Sequence, residues 1–550
     1  MAVATREKPA PAPVPAEDHG RASSSDPAPA LFRWLRSPTF ALVVILAVAA
    51  VLRLVQLGHD SLWIDEVTIA WRSHPHRLLA AVRDAGALEP PASYLVTAPW
   101  LQLPISVETA VRLPMALFGV LEVLALYLLA RELSRRVSVG LVAALLLAVA
   151  PFAVRYSQEA RYYVMFSAVH LLSWWLLLRA LRRRRTRDWL VLGACNGALL
   201  LTHQYAPVVI VVELVVLAVV AVRERRPGGS QARALVRGGG VSLLTAVVIV
   251  APWLLYSLPT SVSDGTALSP DHANGRGVPL GPDLAKRGAE FLFGNEAHLT
   301  ALAVVLSALC LAAPFLTKGR DRRVVLAVVG YVVGFAVLLV FVARLLGSYY
   351  AFRRVEFLLP LLFVLAAFSI VSGYDLLRRS SVTRSAAGPA IALGVAGVVV
   401  LSTLGTVSYY GTEKTNLRAI GELAKDVPPT TIVANFCVTP AGSGPRLEEY
   451  AREHGFDGPH VIIDGRHPIP AVTPGETRVL LFSGTPVTSP GWETQALNRL
   501  DRLQVVAGDE NWGEPVIPLY VARAAPGSDD ELASTIATLL TERRCLVDAP

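Results

Sequence analysis

Through most of this chain the apolar residues come in unbroken runs rather than in stripes or alternations. The runs are about 20 residues long, the length that crosses roughly 30 Å of hydrocarbon as a helix. They predict about eleven spans, at 39–57, 104–130, 137–154, 161–180, 188–202, 205–222, 239–258, 298–316, 324–345, 355–375 and 385–408. The fifth and sixth read almost as one run, broken only by Thr-His-Gln-Tyr in LVLGACNGALLLTHQYAPVVIVVELVVLAVV. Basic loops fall at every second interruption, at 131–136, 179–188, 223–237, 317–323 and 376–384. That alternation places them in the cytoplasm together with the N-terminus. The turn at 203–204 and the loops 58–103, 155–160, 259–297 and 346–354 then face outward.

Both ends depart from the pattern. Residues 1–36 are rich in Pro, Ala and Ser and predict a disordered cytoplasmic tail. They lack the compact layout of a cleaved signal, so the first apolar run reads as a retained helix opening a transmembrane domain at 37–410. From Thr430 the β-rich runs TTIVANF, HVIIDG, RVLLFSG and VIPLYVARA alternate with the helix-like RLEEYAREHG and ETQALNRLDRL. Residues 411–550 are therefore expected to form an extracytoplasmic α/β domain. The expected class is an α-helical polytopic membrane protein carrying that domain.

Composition agrees with this reading. The chain is 53% hydrophobic and 17% charged, with a mean hydropathy of +0.48, which excludes an ordinary soluble protein. Its net charge of +8 sits in the short basic loops, where it sets orientation and meets anionic lipid heads, so no nucleic acid is implied. Cys195 and Cys310 lie in apolar runs as packing residues. Cys437 and Cys545 share the outer side, and their spacing leaves a pair and two free thiols equally open.

Unusual chemistry collects in the outward loops. In LGHDSLWIDEVTIAW, residues 57–71, Asp65 and Glu66 follow Trp63 just past the first span. They read either as solvated acids beside an interfacial aromatic or as a carboxylate base at the membrane surface, where adjacent like charges raise proton affinity. LEPPASYL, residues 88–95, sets Glu89 before two prolines that stiffen the chain. In RYSQEARYYVMF, residues 155–166, Arg161 is suited to a lipid phosphate, while Glu159 is its alternative, purely structural partner. Arg353 and Arg354, in YYAFRRVEFLLPLL, either bind an anion or snorkel to head groups. His203 and Tyr205 sit at the turn between the fifth and sixth spans, and Arg53 near the end of the first. Glu122 and Glu213 lie deep in spans, a placement used by proton-coupled transporters.

Taken together, SLWIDE, LEPPASYL, QEARYY and the Arg353–Arg354 segment resemble motifs of the GT-C glycosyltransferases. The nearest pattern is the protein mannosyltransferase and aminoarabinose transferase group, over roughly the first 375 residues. Three departures are visible: Glu89 where relatives often have His or Lys, Tyr162 where proline is usual, and Val355 where an aromatic is usual. The resemblance implies a multi-helix membrane fold and a polyprenyl-phosphate-linked sugar donor. It makes Asp65 the catalytic base, with Glu66, Glu89 and His203 near the acceptor or a metal. Arg161, Tyr163, Arg353, Arg354 and Arg53 would face the donor phosphate. A divalent cation on Asp65, Glu66 or Glu89 is a candidate cofactor, since all three offer oxygen ligands.

The expected function is an inverting transfer of sugar from the lipid donor to a glycan, lipid or protein acceptor of the cell envelope, on the outer face. Ala-, Arg- and Pro-rich composition fits a GC-rich genome and makes mannose or arabinose the expected sugars. Two other readings stand beside it: a proton-coupled transporter or flippase of an envelope precursor, and a glycan ligase or polymerase that uses a lipid diphosphate. A transporter would place its polar groups at mid-membrane in a repeated architecture. Only Glu122 and Glu213 fit that, the chain shows no internal repeat, and the C-terminal part has no Gly-rich phosphate loop.

Overall fold

Helices stand where the apolar runs lie. The computed structural model describes residues 37–84, 90–224, 230–263, 297–345 and 352–411, and in the C-terminal part 430–436, 453–454, 460–462, 477–483, 501–507 and 517–523. The helices of the first part are α1 Pro38–Leu54, α2 Ile64–Ser73, α3 Leu78–Asp84, α4 Ala92–Thr97, α5 Val107–Ser134, α6 Val137–Val149, α7 Pro151–Ser157 and α8 Tyr163–Arg183. They continue as α9 Thr186–Leu200, α10 Ala206–Arg223, α11 Ser230–Ser263, α12 Ala297–Leu316, α13 Gly319–Leu345, α14 Leu359–Arg379 and α15 Ala387–Tyr410. Among the described residues seven are long and apolar enough to cross a membrane, and the bent pair α6–α7 makes an eighth. Each of the expected runs contains a helix, but α1 and the apolar part of α12 are shorter than a full span, and α9 has only 15 residues. The chain is a multi-pass, mostly helical membrane protein.

Packing sorts the helices by depth. Met115, Leu126, Leu147, Phe166 and Phe368 belong to one apolar core built by α5, α6, α8 and α14. Val211, Val215 and Val222 of α10, and Leu244 and Val248 of α11, are exposed. Such exposure suits hydrocarbon and would be an aggregation hazard in water.

The bend between α6 and α7 is a consequence of Pro151. Proline has no N–H, so the carbonyl four residues back, on Leu147, loses its helical donor. A fully buried arginine supplies replacements. Arg53 Nη2 donates to Leu147 O at 3.3 Å and Nη1 to Ala148 O at 3.0 Å, while Nε donates to Ser157 Oγ at 3.1 Å. Gln158 Nε2 in turn donates to the α1 carbonyls of Arg53 and Val55, at 3.2 and 2.7 Å. The helix bend and the end of α1 are thus locked to each other, and each set of orphan carbonyls is satisfied by a side chain of the other.

The outer loop expected at 58–103 is largely helical, with α2, α3 and α4 between α1 and α5. Of the loop expected at 259–297, residues 264–296 lie outside the described part. In the C-terminal part, β1 Thr430–Phe436, β2 His460–Ile462, β3 Thr477–Ser483, β4 Asp501–Ala507 and β5 Ile517–Arg523 form one sheet in the order β2-β1-β3-β5-β4. β1 runs parallel to β2 and β3, whereas β5 pairs antiparallel with β3 and β4. Four strands fall on the expected runs. The fifth, β4, begins inside ETQALNRLDRL, whose helical spacing is outweighed at its end by pairing of the apolar LQVV with β5. The expected helix at RLEEYAREHG, and Cys437 and Cys545, lie outside the described residues apart from 453–454.

A steric test follows from the Arg53 site. A Cβ on Gly119 would stand 2.7 Å from Arg53 Nε and closer still to Ser157 Oγ, whereas one on Gly334 meets nothing within 4 Å. Gly119→Ala is expected to cost about 1–3 kcal/mol by overpacking. Gly334→Ala is expected to be neutral or stabilising, since alanine is the better helix former. Thermal unfolding of both variants in lipid nanodiscs checks the contrast.

Candidate active site

Asp65 and Glu66 are consecutive residues in the first turn of α2, and that is what separates them. Successive positions on a helix point about 100° apart, so neighbours in sequence do not face each other. Glu66 turns inward and is fully buried, whereas the Asp65 side chain keeps 32% exposure.

Glu66 is held by protein donors on both oxygens. Oε1 accepts from Arg112 Nε at 2.9 Å and from the Ala160 N–H at 2.8 Å. Oε2 accepts from Arg112 Nη2 at 2.6 Å and from the Trp63 N–H at 3.3 Å, the latter closing the start of α2. An ionised carboxyl offers about four lone-pair positions, and all are used. Expected beside an acceptor or a metal, Glu66 instead spends its whole acceptor capacity inside the fold.

Asp65 faces the loop between α7 and α8. Its Oδ2 lies 3.6 Å from Arg161 Nη2, an ion pair across the mouth of the helices. Arg161 is itself mostly buried and lies over two aromatic rings, 4.9 Å from the centre of Tyr162 and 5.8 Å from that of Tyr163. Guanidinium stacking of this kind leaves its in-plane donors available for carboxylate or phosphate. Glu159, the alternative partner for Arg161, pairs instead with Arg155 four residues earlier, at 3.5 Å.

His203 stands behind the arginine rather than in front of it. It is buried, its Nδ1 accepts the Tyr205 N–H at 3.0 Å, and its ring stacks on Phe166 and meets Tyr162 edge-on at 5.0 Å. The aromatic column continues from Phe166 to Phe357, 4.9 Å away, on the 3-10 turn Phe352–Leu358. Arg353 and Arg354 belong to that turn, but their side chains lie outside the described part. The turn itself therefore packs against the helix that follows Arg161. Glu89 lies outside the described residues; the segment just after it forms α4, where Tyr94 is buried and accepts a hydrogen bond from Arg72. Arg53, expected at the donor phosphate, is committed to the α6–α7 bend.

Glu122 and Glu213 have separate partners. Glu122 accepts from Ser167, with Arg53 as its charged neighbour, and Glu213 accepts from Ser173 at 2.5 Å and Asn196 at 2.8 Å. Both act as polar links between helices. Arg112, Arg155 and Glu356 were not singled out from sequence: Arg155 and Glu356 lie inside segments whose other residues carried the resemblance, and Arg112 has no local motif. An arginine near the head of an otherwise apolar run was the one available signal for Arg112. Among the described residues no group of three or more His, Cys, Asp or Glu side chains is arranged to hold a metal.

The neighbouring acids give opposite expectations for stability. Glu66→Gln leaves Arg112 buried without its counter-charge and is expected to cost about 3–5 kcal/mol. Asp65→Asn, at the exposed mouth, should leave the unfolding temperature nearly unchanged. Parallel thermal unfolding in nanodiscs measures the difference.

Residues 89–256 match the family described as dolichyl-phosphate-mannose-protein mannosyltransferase. No curated protein sequence matches the chain. Among solved structures, the ArnT protein of Cupriavidus metallidurans bound to undecaprenyl phosphate is similar at 15% identity and a TM-score of 0.52, covering 88% of this chain and 98% of that one. Its apo form gives 16% identity and 0.51, covering 90% and 98%. The apo oligosaccharyltransferase of Archaeoglobus fulgidus is similar at 12% identity and 0.51; the match covers 78% of this chain and 65% of that longer one. At such identities the likeness is one of fold. The fold is that of the GT-C membrane glycosyltransferases, and the chain resembles their protein mannosyltransferase and aminoarabinose transferase group.

Proposed function

We propose that the protein is an inverting glycosyltransferase that moves a sugar from a polyprenyl-phosphate-linked donor to a cell-envelope acceptor on the outer face of the membrane. The observation that carries this reading is the 3.6 Å pairing of Asp65 with Arg161 at the mouth of the helices. A half-exposed carboxylate and a stacked, mostly buried guanidinium are the two charges such a transfer needs. Asp65 takes the proton of the attacking hydroxyl, and Arg161 stabilises the phosphate as it leaves.

The step balances without further reagents. The acceptor oxygen forms a bond to the anomeric carbon, and the bond from that carbon to the phosphate oxygen breaks. Its electron pair stays on the phosphate, and the hydroxyl proton passes to Asp65. Backside attack inverts the configuration at the anomeric carbon. Polyprenyl phosphate leaves as an anion, so it calls for cations rather than a general acid. Arg353 and Arg354 sit on the turn that packs against α8 and are proposed to add charge there.

A divalent cation is not favoured by the donor set, because Glu66 has no free lone pair and would leave only Asp65 and Glu89 among the three candidates. The C-terminal part is assigned to the same side as the site, supported by the 2.8 Å hydrogen bond between His454 and Glu108 in the first turn of α5. That assignment leaves the N-terminus in the cytoplasm. The transporter reading is less favoured, because Glu122 and Glu213 bond to different neighbours rather than forming a pair.

Purified protein in lipid, given a panel of polyprenyl-phosphate sugars that includes mannose and arabinose donors, provides the test. Polyprenyl phosphate should be released in the presence of acceptor, and Asp65→Asn should slow that release by about 10²–10⁴-fold, the range for losing a general base. A panel in which no donor turns over, or a variant as fast as the wild type, overturns the proposal.

A further inference from the structure

We infer that Arg112 is a positioning residue that fixes the distance between the Asp65 carboxylate and the Arg161 guanidinium by clamping three separate segments through Glu66. This rests on the reading of Asp65 as the base. Arginine carries five N–H donors in a planar fork, and at Arg112 each has an acceptor. Nε and Nη2 bind the two oxygens of Glu66, at 2.9 and 2.6 Å. Nη1 donates to the carbonyls of Leu57 at 3.2 Å and Asp60 at 2.8 Å, and Nη2 also donates to Ser61 at 2.9 Å. The remaining capacity of Glu66 goes to the N–H groups of Trp63 and Ala160.

Read outward from α5, this pair touches everything that sets the site. The carbonyls of Leu57, Asp60 and Ser61 define the turn leading into α2, and Trp63 and Glu66 belong to its first turn, with Asp65 between them. Ala160 immediately precedes Arg161. The base and the cation therefore hang on one buried ion pair, each a single residue from a group that pair holds directly. Arg112 is 2% exposed and all five of its donors go to protein oxygens, so it acts through the groups it holds and not on substrate. Lysine keeps the charge but offers three donors from one point, and cannot reproduce a fork that bridges two carboxyl oxygens and three carbonyls.

The test is a double-mutant cycle on transfer rate, run with Arg112→Lys, Asp65→Asn and the double variant, below the unfolding temperature of each. A displacement near 1 Å costs on the order of 10²-fold in rate. Arg112→Lys is expected to lower kcat by about that factor with the donor KM changed less than about 3-fold. In the Asp65→Asn background the same substitution should cost at least about 10-fold less than in the wild type, because the base is already gone and only Arg161 remains to be misplaced. Glu66→Asp, which shortens the other arm of the clamp, should repeat this pattern.

A merely structural role gives a different result: the rate loss follows the folded fraction and recurs by the same factor in the Asp65→Asn background, which overturns the inference and leaves Asp65 intact as base. If Asp65→Asn transfers as fast as wild type, the base assignment and this inference fall together. Should neither Arg112→Lys nor Glu66→Asp fold at the assay temperature, the pair is a folding requirement alone, and the inference is likewise overturned.

Discussion

A carboxylate that has lost all contact with water needs a donor for every lone pair, and Glu66 finds them in Arg112 and two backbone N–H groups. The geometry of the mouth depends on that requirement being met. Desolvating two charges costs several kcal/mol each, and a buried pair recovers the cost only when its remaining hydrogen bonds are also made. Here the compensation comes from segments far apart in sequence, so satisfying the charges is the same event as assembling the site. The energetic demand of burial is converted into positional accuracy for the half-exposed Asp65 beside it.

The same economy recurs at Arg53. Backbone carbonyls stranded in hydrocarbon are costly, and broken helices inside a membrane survive only where other groups re-satisfy them. Pro151 breaks α6 from α7, and the guanidinium of Arg53 occupies the place of the missing donors while Gly119 leaves room for it. Glu122 beside Arg53, and Glu213 between Ser173 and Asn196, tie further helices together. Polar residues within the spans thus serve two purposes: those in the interior hold a bundle with a bent helix pair in one arrangement, and those at the mouth are held by it.

What could be read from the sequence followed the range of the interactions. Apolar runs of spanning length, and the Asp65 and Arg161 segments as a site, were legible because they are local patterns. That Asp65 and Arg161 meet was implied only by their lying on the same face of the bundle. Long-range partnerships were not legible. Asp65 and Glu66 look like one acidic pair, and only helix formation from Ile64 turns them to different partners. Arg112 lies 46 residues from Glu66 and carries no motif of its own. Arg53 looked like a phosphate ligand near a helix end, yet its true partners are carbonyls freed by a proline about a hundred residues later. Glu159 found Arg155 rather than Arg161, its partner lying four residues back on α7 just before the chain leaves that helix.

The stereochemical course of transfer tests the proposed displacement most directly, since attack aided by one base on a departing phosphate permits one outcome only. With a polyprenyl-phosphate sugar of defined anomeric configuration as donor, NMR of the glycosylated acceptor reports the configuration of the new bond. The proposed displacement predicts clean inversion. Retention would require a covalent or front-face route and would contradict the proposal.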